Sequence, residues 1–217
     1  MQPTQPAQPT QPAQPAHPAK PAEPAERSAP TRDERRERIR RAIVDAAWQL
    51  SRERGLAGWG LRDLGTQVGM RAPSLYVYFA SKNALYDEMY AQGYRELRAA
   101  YQSLLVEDLA DEERLRAGAR VFFDFAVADS ARLQLLFLPV IPSFVPSQVS
   151  YALAGEVLTE LSRALQAVGV TDPVALDLWT AMLTGLATQQ VSNDPGGHRW
   201  ADVVDRAVDL LLAGSRT

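Results

Sequence analysis

From about Asp33 the chain repeats apolar residues at three- and four-residue steps, Ile39, Ala42, Ile43, Ala46, Ala47 and Leu50, one stripe of a helix that should end near Gly55. After it, Leu61, Leu64 and Val68 suit a short helix, Gly69 supplies a turn, and Leu75, Tyr78 and Phe79 suit the buried face of a second short helix. Pro73 is tolerated only in a first turn, where its missing N–H costs nothing, so that second helix should begin at Arg71 or Ala72. Tyr76 and Tyr78 stand about 200° apart around such a helix, so they cannot share one buried stripe and at least one faces outward. A longer helix should run from Ser81, a plausible N-cap, to about Leu105, with Leu85, Met89, Tyr90, Leu97 and Tyr101 turned inward.

Two short helices joined by a glycine turn and braced by a longer one form a helix-turn-helix, in which the second helix enters the DNA major groove. Beyond about residue 105 the pattern stays helical. The segment holding Phe122, Phe123, Phe125, Leu133, Leu136 and Phe137 runs on until prolines 139, 142 and 146 break it. The last 45 residues read as two helices, about 173–191 and 199–213, separated by the loop sequence SNDPGGH. The fold class expected is therefore all-α.

The first thirty residues differ in kind. Proline recurs at every third position from Pro3 to Pro24 with scarcely a large apolar residue after Met1, a composition that extends as polyproline II and cannot form a core. We read residues 1–31 as a disordered tail, 32–80 as the helix-turn-helix domain and 81–217 as a second helical domain.

Composition narrows the chemistry. The 217 residues are 46% hydrophobic and 23% charged, enough for a sizeable core. No run of about 18 apolar residues is present, so no membrane partner is expected, and the N-terminus lacks a signal-peptide segment. A cytoplasmic location is the expectation. There is no cysteine, and the two histidines, His17 and His198, lie in the tail and a loop. That leaves little material for a histidine base, a thiolate nucleophile or a His/Cys metal site, and no metal or cofactor is expected. The glycines of GLAGWG lack the dinucleotide-binding spacing, so the reading is not an enzyme. Charge is segregated: residues 27–90 carry 12 basic and 8 acidic residues, net +4, whereas 91–217 carry 10 and 16, net −6. A basic amino-terminal region fits a phosphate partner, and it equally fits a solvated helix face.

The run of an amphipathic first helix, Gly55, LRDLGTQVG and APSLYVYFASKNAL resembles the DNA-binding domain of the tetracycline-repressor (TetR) family of bacterial transcriptional regulators, over about residues 35–90. The resemblance implies a homodimer that binds double-stranded operator DNA, and a variable helical C-terminal domain for a small-molecule ligand that usually relieves repression. Position by position it assigns Arg62 to a base or phosphate contact, with the two guanidinium donors suited to guanine O6 and N7. Arg71, Ala72, Pro73 and Ser74 fall on the base-reading turn and Val77 on a possible thymine-methyl contact. Tyr76, Tyr78 and Lys82 match positions that hold phosphates. The family often caps its two short helices with Ser or Thr, but here those positions are Gly60 and Arg71.

For the C-terminal domain, Phe122, Phe125, Phe137, Tyr151, Trp179 and Met182 are candidate pocket residues, although aromatic residues at helical spacing also fit ordinary bundle core. Leu183, Leu186, Val204, Val208 and Leu211 on the last two helices are candidate dimer residues, with packing inside one chain as the other possibility. The runner-up reading is a helical protein-interaction adaptor that no longer reads DNA and docks through its proline tail.

Overall fold

A computed structural model describes residues 31–106 and 108–215; the proline-rich segment lies outside the described residues. The described residues form nine α-helices with no strand: α1 (Arg32–Arg54), α2 (Leu61–Gln67), α3 (Ala72–Leu75), α4 (Lys82–Ser103), α5 (Asp111–Val127), α6 (Ser130–Phe137), α7 (Gln148–Ala167), α8 (Val174–Asn193) and α9 (Val204–Ser215). Short 3-10 turns follow α4, at Leu104–Val106, and precede α9, at Ala201–Val203.

Each start has a chemical cause. Thr31 and Glu34 exchange hydrogen bonds at the head of α1, Glu34 N to Thr31 Oγ1 at 3.2 Å and Thr31 N to Glu34 Oε2 at 2.7 Å. Ser81 accepts from Ala84 N at 3.0 Å and starts α4 as its composition foretold. The helical run over the phenylalanines breaks earlier than its prolines suggest. Asp129 accepts from the N–H groups of Ala131 and Arg132 and begins a separate helix, α6, because a short acceptor there satisfies two free donors at once.

Two apolar cores result. One joins α1, α2, α3 and the start of α4 through Ile43, Trp48, Leu50, Leu64, Leu75 and Phe79, and the other joins α5 to α9 with the far half of α4. Each fully buried Leu or Ile contributes roughly 1.5–3 kcal/mol relative to exposure. On α1 the buried stripe differs in part from the periodicity: Ala42 is exposed, while Val44 and Trp48 are buried. Trp48 goes inward because its indole N–H finds Gln92 Oε1 at 3.1 Å on α4, and this makes its burial tolerable. Helix α6 lies between the cores, giving Ala131 and Leu135 to the first and Leu133 and Leu136 to the second.

Candidate nucleic-acid interface and ligand cavity

Helices α2 and α3 are held by a tight turn. Met70 N donates to Gly65 O at 2.7 Å, and a Cβ at Gly65 would stand 2.5 Å from Met70 O, so only glycine lets the chain double back there. Gly69 completes the turn with φ +68°. At the head of α2, Gly60 N donates to Asp63 Oδ2 at 2.8 Å, and Arg54 Nη1 reaches Asp63 Oδ1 at 3.1 Å. The Gly60 N–H, and after it the Arg54 guanidinium, hold the Asp63 carboxyl below its ordinary pKa. Glycine without a hydroxyl is thus served by an acidic residue three positions on.

The second helix is shorter than its apolar spacing suggests. Only Ala72–Leu75 is α-helical, with Pro73 in the first turn, and the chain then turns through Tyr78 to Phe79. Leu75 and Phe79 are buried, as two core residues four apart should be. Tyr76 is 55% exposed and Val77 65% exposed, while Tyr78 is half-buried. Arg62, Arg71, Pro73 and Ser74 are exposed and Ala72 is half-buried. The guanidinium groups of Arg62 and Arg71 have no partner among the described residues.

Lys82 is placed differently. Its Nζ donates to Leu56 O at 3.3 Å and Trp59 O at 2.5 Å and lies 4.1 Å from the centre of the Trp59 ring. Burial pulls its pKa down, and the attraction of Asp63 opposes that. The Tyr86 hydroxyl donates to the same Leu56 carbonyl. Together they fix the loop that leads into α2.

Sequence reasoning missed two further clamps. Arg40 Nη1 donates to Tyr78 O at 2.8 Å, its Nη2 pairs with Glu88 at 2.8 Å, and its guanidinium lies 4.5 Å from the Phe79 ring centre. Arg36 Nη2 donates to Val77 O at 3.3 Å. The only signal for them was the arginine-rich outer face of α1. The outcome is a rigid mount whose tip, α3 and the turn after it, presents cationic, hydroxyl and aromatic groups to solvent.

In the C-terminal bundle a cavity of about 430 Å³ opens between the end of α4, α5 and α7, with Trp179 at its wall. Of the six aromatic and methionine candidates the cavity gathers Trp179 alone. Phe122 and Phe137 pack against each other with ring centres 5.1 Å apart and planes tilted by 59°, and the Arg132 guanidinium lies 3.7 Å from the Phe125 ring centre. Met182 packs against the core and Tyr151 is 63% exposed on α7. Of the dimer candidates, Leu183, Val204 and Val208 are buried in the chain's own core, and Leu186 and Leu211 pack partly against it. The outward faces of α8 and α9 carry Leu178, 56% exposed, and Leu210, 61% exposed. No described helix is long and apolar enough to cross a membrane, and no group of three or more potential metal ligands occurs among the described residues.

The family model for bacterial regulatory proteins of the tetR family matches residues 43–89, which include α2, α3 and the turn between them. The HTH-type transcriptional activator FasR of Mycolicibacterium smegmatis is 31% identical over 106 residues, 49% of this chain and 47% of that protein. The matched stretch thus spans about half the length of that curated relative. Among solved structures, the fatty acid degradation regulator FadR from Bacillus halodurans superposes with a TM-score of 0.67 at 18% identity, covering 80% of this chain and 94% of that one. AibR, in complex with isovaleryl coenzyme A and operator DNA, superposes with a TM-score of 0.63 at 18% identity, covering 80% and 97%. The sequence of residues 43–89 thus matches the tetR family model, and the solved structures share the overall fold.

Proposed function

We propose that this protein is a homodimeric, cytoplasmic transcriptional regulator, a repressor, that binds operator DNA through α2 and α3 and is released by a small molecule held in its C-terminal bundle. Residues 32–80 are the reading domain and 81–217 the sensing and dimerisation domain. The observation that carries the reading is the contrast at the mount. Arg36, Arg40 and Lys82 hold its loops, whereas Arg62, Arg71, Ser74, Tyr76 and Val77 are exposed. Nothing in the core accounts for a cluster of that composition at the tip of a braced helix pair. Arginine is suited to guanine edges and phosphates, Ser and Tyr hydroxyls to phosphates, and the Val77 methyls to thymine.

A short recognition helix reads few base pairs, so two copies related by a twofold axis supply the specificity. The exposed Leu178 and Leu210 are the side chains we assign to that contact. For the ligand, AibR is seen with isovaleryl coenzyme A and FadR is a fatty acid degradation regulator, and the cavity here has an apolar wall suited to an acyl chain. Selection of bound fragments from a random duplex library tests the function. Enrichment of an inverted repeat is the expected result; no enrichment from protein refolded to strip bound ligand would overturn it.

A further inference from the structure

The inner wall of the 430 Å³ cavity is apolar, with Leu115, Val157 and Trp179 all buried. Its volume falls within the roughly 300–1,000 Å³ of ordinary small-molecule sites. Two of the four charged groups at its mouth, Asp111, Arg114, Glu160 and Arg163, are engaged within the chain. Glu160 pairs with Arg98 at 3.0 Å, and the Arg114 guanidinium binds the carbonyls of Leu104 at 2.6 Å and Leu109 at 2.9 Å.

Tyr101 is the polar group that the wall leaves unanswered. Two other tyrosines of α4 have hydrogen-bond partners, Tyr86 donating to Leu56 O and Tyr94 to Leu136 O at 3.4 Å, and the Tyr90 ring lies 4.8 Å from that of Tyr94. Tyr101 lines the cavity, its ring packs over Gly118, where a Cβ would lie 3.7 Å from Cε1, and its hydroxyl has no hydrogen-bond partner among the described residues. Burial pushes its phenol well above the ordinary range, so it remains a protonated donor. The hydroxyl is unpartnered but not sealed off, so an acceptor that enters the adjoining cavity can reach it.

We infer that Tyr101 is the hydrogen-bond donor by which this cavity recognises its ligand, and that the ligand is a largely apolar molecule with an accepting oxygen set against its hydrocarbon body. Such a group is the carbonyl of an ester, thioester, ketone or acid. The inference rests on the cavity being the ligand site proposed above.

The test uses the full chain and two probes, the fluorescent apolar reporter N-phenylnaphthylamine and its competitor methyl nonanoate, which carries a carbonyl on a flexible chain. Tyr101→Phe should bind the reporter within about twofold of wild type, while methyl nonanoate displaces it with an affinity about 3- to 10-fold weaker. Gly118→Leu, which fills the space beside the ring, should abolish reporter binding. Equal displacement by methyl nonanoate from wild type and Tyr101→Phe overturns the role of Tyr101 and leaves the cavity standing. Loss of the reporter in Tyr101→Phe also overturns it, by making the hydroxyl a structural group. A wild-type chain that does not bind the reporter, or a Gly118→Leu chain that binds it as well, removes the cavity as a ligand site and the inference with it.

Discussion

Arg52 Nε donates to Asp129 Oδ2 at 2.7 Å and so ties α1 to the residue that starts α6. The pair is asymmetric: Asp129 is buried, and Arg52 is more than half exposed. Because α6 contributes side chains to both cores, this contact fastens α1 to the element that the two cores share.

The asymmetry predicts unequal losses. Asp129→Ala removes the cap of α6 and the buried acceptor together, and should lower stability by about 2 kcal/mol. Arg52→Ala leaves the carboxylate with two backbone donors and should cost under about 1 kcal/mol. Urea unfolding of the two variants checks the order. An equal or reversed order would mean that the cap is not the larger contribution.

Arg40 should act on DNA affinity without touching DNA. One guanidinium reaches both Tyr78 O and Glu88, which an ammonium on a thinner stem cannot reproduce. Arg40→Lys should keep its helix content while losing about 10-fold in affinity for an enriched duplex, or roughly 1.4 kcal/mol. Fluorescence anisotropy against circular dichroism separates the two effects. Unchanged affinity would remove Arg40 from the mount.

Two glycines with different surroundings should respond in opposite directions. Gly65→Ala drives a methyl into the Met70 carbonyl and should destabilise by more than about 1 kcal/mol, whereas Gly155→Ala on α7 meets nothing within 4 Å and should stabilise by up to about 1 kcal/mol. Thermal unfolding decides; a neutral Gly65→Ala would show that the α2–α3 turn can relax.

Tyr86 predicts an alkaline limit. Burial pushes its phenol to about 12 from an ordinary 10.0, so the folded state keeps a proton that the unfolded chain releases. Stability from this group is complete below pH 10 and is lost as pH rises toward 12. Tyr86→Phe should be less stable at pH 7, through loss of the bond to Leu56 O, yet fall less steeply between those limits. Urea midpoints measured across the range test it, and parallel curves for both proteins would contradict the assignment.

The helix-turn-helix was legible because its information is local. Apolar spacing, Gly69, Pro73 and the Ser81 cap each act within a few residues. The clamps were not, since Arg40 meets a carbonyl 38 positions away and Lys82 one 23 positions away, and no short-range pattern encodes such pairs. Periodicity also found apolar faces on α8 and α9 without saying which side packs inward. Leu183 and Val208 therefore read either as partner residues or as packing inside one chain, and in the structure they lie in the chain's own core while Leu178 and Leu210 are exposed. The cavity escaped for the same reason: the residues around it, Tyr101, Gly118, Val157 and Trp179 among them, come from four separate helices.

The measurement that tests the central claim most directly is the affinity of the selected duplex as a function of salt, for wild type, Tyr76→Ala and Arg62→Ala. For wild type we expect a steep linear fall of log affinity with log salt. Tyr76→Ala should weaken binding to all sequences, and Arg62→Ala should also relax preference at one base position. Binding that ignores salt, or that survives both substitutions unchanged, would contradict DNA reading by α2 and α3.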